Sequence, residues 1–133
     1  MQTKPILTMH ETTRILDAAR LDAENNGWPV AIAVVDDGGH LLGLLRLDGG
    51  APVSAEIAIG KAKSAAVGRR ETRLYEEMIN NGRTAFLSAP LVATLEGGVP
   101  VIVDGQVVGA VGVSGVKPGE DAQVARAGAQ AAV

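Results

Sequence analysis

The stretch "LEGGVP" sets Glu96 directly before Gly97 and Gly98. Paired glycines let backbone and ligand approach each other closely. A glutamate beside them can act as a general acid or base if burial raises its pKa. Arg46 and Asp48 end another apolar run, "LLGLLRLDGG", which also closes on two glycines. Lys61 interrupts a stretch of small residues, and Arg83 precedes the apolar run "TAFL". Two cations in one cleft would hold a carboxylate by charge-assisted hydrogen bonds. The residue types therefore nominate Glu96 for catalysis, and Arg46, Asp48, Lys61, Arg83, Gly97 and Gly98 for binding a small anionic ligand. Arg46, Lys61 and Glu96 form the expected core of the cleft, with Arg83 on its rim. A structural ion-pair network would use the same residue types, and Arg46 with Asp48 is the pair most expected to be only structural.

The chain has two histidines, His10 and His40, and no cysteine. Disulfides, thiolate metal sites, iron–sulfur clusters and a cysteine nucleophile are excluded. No H-x-x-x-H pair supplies a zinc ligand set. A single histidine suffices to ligate haem iron, so His10 and His40 are the metal-ligand candidates. The glycines of "GAVGVSG" have the wrong spacing for a dinucleotide fingerprint, and no helix opens directly after them. The serines sit in no nucleophile-elbow context.

A length of 133 residues and 47% hydrophobic content fit a single globular domain spanning 1–133. The net charge of -3 argues against non-specific nucleic-acid binding. Aromatics are too scarce, at 2%, for a base-stacking platform. No apolar run reaches the roughly 20 residues of a membrane span. The first residues, "MQTKPILTMHETTRIL", hold no apolar signal core, and the expected location is cytoplasmic.

The elements that would position these residues follow from pattern. Thr8 and Glu11 make a capping box for a first helix, with Met9, Leu16, Ala19 and Ala23 as its buried stripe and Gly27 as its stop. "PVAIAVVD" and "HLLGLLRLD" read as two strands joined by a glycine turn. Ser54 is placed to cap a second helix running to about Arg70, with an alanine face. A third helical piece covers "ETRLYEEMINNG". The segment from Arg83 to Gly98 is irregular, with a short strand expected near Leu95. Asp104-Gly105 marks a tight hairpin between strands at 99–104 and 106–114. Glu120 and Asp121 suit the first turn of a last helix. Hairpins joined through helices imply an antiparallel sheet with helices against it, in the α+β class. Strand alternation gives that sheet one bulky and one small face. Val30, Ile32, Val34, Val107, Val111 and Val113 oppose Ala31, Ala33, Val108, Ala110, Gly112 and Ser114. The small face suits close packing of the alanine-rich helix, a flat ligand, or a partner subunit.

The segments "VVDDGGHLLGLLRLDGG", "IAIGKAKSAA", "LEGGVPVIVDGQVVGAVGVSG" and "EDAQVARAG" together resemble the GlcG/HbpS family. The resemblance covers nearly the whole chain and rests most on the two glycine-rich hairpins. The family includes haem-binding proteins and is similar to the C-terminal domain of some cobalamin adenosyltransferases. The resemblance implies a profilin-like (GlcG-like) fold with a five-stranded antiparallel sheet flanked by helices, usually in a homo-oligomer. It implies haem binding, and for some members haem degradation or an accessory role in small-molecule catabolism. A haem-binding protein for storage or sensing, with His10 or His40 as axial ligand, is the first expectation. An enzyme acting on a small carboxylated or oxygenated catabolite, with Glu96 as its acid or base, is the second expectation. An accessory structural oligomer is the third.

Overall fold

The computed structural model describes residues 1–133. The order of elements is α1 (Met9–Asn25), β1 (Ala31–Asp36), β2 (Leu41–Arg46), α2 (Pro52–Gly68), α3 (Arg73–Asn80), a 3-10 turn (Thr84–Ser88), β3 (Gly98–Val103), β4 (Gln106–Ser114) and α4 (Pro118–Gln130). The sheet is antiparallel throughout, in the order β2-β1-β4-β3. It has four strands where five were expected. The segment that was to supply a strand near Leu95 lies across α2 instead. Ala93 donates its backbone N–H to the Ser64 hydroxyl at 3.2 Å, so that group is spent outside any ladder. Ala93 and Val92 also crowd Gly60 of α2.

The two sheet faces differ as the alternation predicts. Val30, Ile32, Val34, Val111 and Val113 form one core with Ile15, Ala19 and Ala23 of α1 and Val124 and Ala125 of α4. Ala31, Ala33, Val35 and Ala110 form the other with Ala58, Ala62, Ala65 and Ala66 of α2. The small face thus receives α2 at very short range. A Cβ at Gly112 would overlap the carbonyl oxygen of Ala58. Only glycine at 112 leaves room for helix backbone to lie on strand backbone. The alternation fails at Val107 and Val108: Val108 joins the bulky core, and Val107, expected there, is half-buried outside it. Pairing between β3 and β4 passes from Val101↔Gly109 to Ile102↔Val107, so Val108 is the extra residue of a bulge.

Local signals explain most ends. Glu11 accepts hydrogen bonds from the Thr8 backbone N–H, at 2.9 Å, and from the Thr8 hydroxyl. These bonds hold the Glu11 carboxyl down at about 2. The buried stripe of α1 is Thr12, Ile15, Ala19 and Ala23, whereas Met9 is exposed and Leu16 only half-buried. α2 opens at Pro52, two residues before the expected cap; Ser54 lies inside its first turn and donates its hydroxyl to the Ala51 carbonyl. Asp104 and Gly105 both have positive φ, +52° and +73°, as a type I′ turn requires.

Candidate functional site

Lys61 projects from α2 toward the end of the sheet. Its Nζ donates to the Val113 carbonyl at 2.9 Å and to the Asp121 carboxylate at 3.0 Å. Both charged side chains are buried, Lys61 at 4% and Asp121 at 2% exposure. The second Asp121 oxygen accepts the Val116 N–H at 3.1 Å. Burial raises the Asp121 carboxyl above its ordinary value, and Lys61 only partly opposes that shift. The pair ties α2, the end of β4 and the first turn of α4 into one joint.

Gly97 and Gly98 lie against this joint. A Cβ on Gly97 would come 2.8 Å from Lys61 Nζ, and one on Gly98 would overlap the Lys61 carbonyl oxygen. Gly98 is further held by Thr72: its N–H donates to the Thr72 hydroxyl at 2.8 Å, and its carbonyl accepts the Thr72 N–H at 3.0 Å. Glu96 precedes Gly97, which packs against Lys61. Glu96 is half-buried, and its backbone N–H donates to Glu76 Oε1 at 3.3 Å.

Arg46 and Asp48 are elsewhere. They line an open depression of about 610 Å³ with Arg20, Glu24, Trp28 and Leu47, which Lys61 and Glu96 do not line. The expected ion pair between Arg46 and Asp48 does not form. Arg83 is exposed, just before the 3-10 turn. The charged residues read as one cleft therefore occupy separate places. Their common position at strand ends does not bring them together, because β2 is an edge strand while Lys61 and Gly97 sit over β4.

The histidines differ sharply. His10 is exposed on α1, with its Nε2 3.4 Å from an Arg14 guanidinium nitrogen. His40 follows the turn between β1 and β2, where Asp36 fixes the backbone. Its carboxylate accepts the N–H groups of Gly38 and His40, both at 2.9 Å. Around the exposed His40 ring, a recess of about 180 Å³ is lined by Gly38, Gly39, Lys63, Val67, Leu91 and Val92, among others. Lys63 stands in the segment "IAIGKAKSAA" that carries the family resemblance, whereas Leu91 and Val92 stand in no motif. Lys63 is half-buried and in no ion pair. The recess thus combines a nitrogen ligand, a free cation and aliphatic walls. Those are the groups that bind a planar, carboxylated, metal-bearing molecule. At 180 Å³ it is smaller than the roughly 300 Å³ at which ligand pockets begin. No cluster of three or more histidine, aspartate or glutamate side chains is placed to hold a bare metal ion.

Known proteins share this architecture. Protein GlcG of Escherichia coli strain K12 is 60% identical over 114 residues, covering 86% of this chain and 85% of that protein. The crystal structure of a double mutant of HbpS from Streptomyces reticuli superposes with a TM-score of 0.86 at 35% identity, over 98% of this chain and 89% of that one. The crystal structure of a PduOC–haem complex gives a TM-score of 0.85 at 26% identity, over 96% and 95% of the two chains. The family model described as "Haem degrading protein HbpS-like" matches residues 7–130, which takes in both hairpins, the Lys61–Asp121 joint and the His40 recess, and the chain belongs to that HbpS-like family.

Proposed function

We propose that this protein binds haem at the His40 recess, where the His40 imidazole would hold the iron. One observation carries the reading: His40 alone of the two histidines adjoins both an unpaired cation, Lys63, and aliphatic walls. His10 faces the Arg14 guanidinium, whose positive charge opposes a metal cation at the same ring. In this reading Lys63 meets a propionate, and Val67, Leu91 and Val92 lie against the ring. Bound haem would supply an iron centre for storage, sensing or oxidative chemistry; the chain's own part is to ligate, orient and desolvate it. The complex of a relative with haem and the description of the family support the same ligand.

Lys61 has no part in this binding, since two partners already hold its ammonium group. A homo-oligomer completes the proposal. The alanine face of α2 is consumed inside the subunit, so association would use the apolar side chains left exposed at Leu87 and Leu95. Titration of the wild type and of Lys63→Ala with haemin, followed by absorbance, tests the site. Saturation at one haem per chain, weakened by the substitution, is expected. Equal affinity of the two proteins would remove Lys63 and the recess from the reading.

A further inference from the structure

We propose that the depression lined by Trp28, Arg46 and Asp48 is a separate site, for a small carboxylic acid with a hydroxyl or ammonium donor beside its carboxylate. The depression lies at the far end of β2 from His40, so the inference stands or falls independently of haem binding.

Its two key charges are mounted rigidly and left without partners. The Leu47 N–H donates to the Val30 carbonyl at 2.9 Å, and the Gly50 N–H donates to the Leu47 carbonyl at 3.0 Å. Asp48 therefore sits inside a tight hydrogen-bonded turn. The Arg46 stem passes along Gly50, where a Cβ would come 3.3 Å from Arg46 Cγ. A larger residue at 50 would crowd that stem. Neither Arg46 nor Asp48 makes an ion pair within the chain, although they stand two residues apart. The other two charges in the wall, Arg20 and Glu24, face each other at 3.6 Å.

The chemistry of the guest follows from what is unpaired. Arg46 offers a planar fork of N–H donors that fits a carboxylate. Asp48 only accepts, so it calls for an O–H or N–H on the ligand. A simple diacid would be repelled by Asp48, and a simple amine by Arg46. Trp28 is half-buried, its backbone N–H donates to the Ala23 carbonyl at 2.9 Å, and with Pro29, Leu45 and Leu47 it offers an apolar wall. The volume of about 610 Å³ suits a ligand of this size.

Trp28 is the chain's only tryptophan, so its fluorescence reports on this depression alone. Three probes separate the contributions: L-phenyllactate, L-phenylalanine and 3-phenylpropionate, which differ only in the hydroxyl, ammonium or hydrogen on the carboxylate-bearing carbon. The expected result is a saturable change in emission with phenyllactate, phenylalanine or both, and weaker binding of phenylpropionate. Whichever of the first two binds identifies the donor. Arg46→Ala should weaken binding about tenfold or more, as loss of a charged hydrogen bond implies. Asp48→Asn should weaken the donor-bearing acid relative to phenylpropionate. Both positions are exposed, and circular dichroism would verify that each variant is folded. No saturable change with any probe up to about 10 mM, where even weak sites fill, would overturn the proposal. So would equal binding of all three probes, or binding that Arg46→Ala leaves unchanged.

Discussion

Lys61 and Asp121 form a buried ion pair, 3.0 Å from ammonium to carboxylate, between the middle of α2 and the first turn of α4. Burial works against the Asp121 charge more strongly than Lys61 supports it, since the carboxyl remains above its ordinary value. The pair therefore fixes how the helices meet more than it adds to net stability.

Lys61→Met should cost ~3–5 kcal/mol, because it strands a buried carboxylate. The loss should grow with pH. With the cation gone, the folded-state pKa of Asp121 rises further above its unfolded value. Its contribution is then retained in acid and lost as pH rises through the folded value. Replacing both residues, Lys61→Met with Asp121→Leu, should recover most of the stability. Urea denaturation at several pH values checks this. A double variant as unstable as the single would show that the pair itself stabilises.

Glu11 has the opposite sign. Its pKa is lowered to about 2 by its bonds to Thr8. Its contribution is present above the ordinary value of 4.5 and is lost as pH falls from there through about 2. Asp37, held low mainly by its hydrogen bond with Lys4, acts in the same direction. Melting curves of Glu11→Gln should show a shallower loss of Tm over that acidic window than the wild type. Parallel curves would mean the capping box does not form in solution.

Gly112→Ala should be among the most destabilising single-methyl additions in the chain. The added carbon meets helix backbone at Ala58 and Ala62, which cannot swing aside as a flexible side chain could. A cost of about 1–3 kcal/mol or more is expected. Gly119→Ala, with nothing near its Cβ, is the control and should be tolerated. Equal midpoints for the two in denaturant would contradict the close seating of α2 on β4.

Much of this architecture is legible in local pattern. The Thr8–Glu11 cap, the Asp104-Gly105 turn and the valine and alanine faces each depend on residues within one or two turns or strands. What sequence hides is long-range. Asp121 reads as a first-turn acid suited to the helix dipole, and nothing near it points to Lys61, its partner from α2. Arg46, Lys61 and Glu96 all stand near glycines at element ends, yet strand order separates Arg46 from the other two. The missing fifth strand has the same origin: Ser64 on α2 captures the Ala93 N–H that would have entered a ladder. Trp28 carries no motif, and the settings of Trp28 and Lys63 appear only when the edge of β2 and the end of α2 are folded into place.

His40 is the residue proposed to ligate haem iron. The most direct measurement is the Soret band of the haemin complex in wild type, His40→Ala and His10→Ala. The expected result is a shifted, saturating band in the wild type and in His10→Ala, and a band close to that of free haemin in His40→Ala. An unchanged Soret position and affinity in His40→Ala would contradict the account.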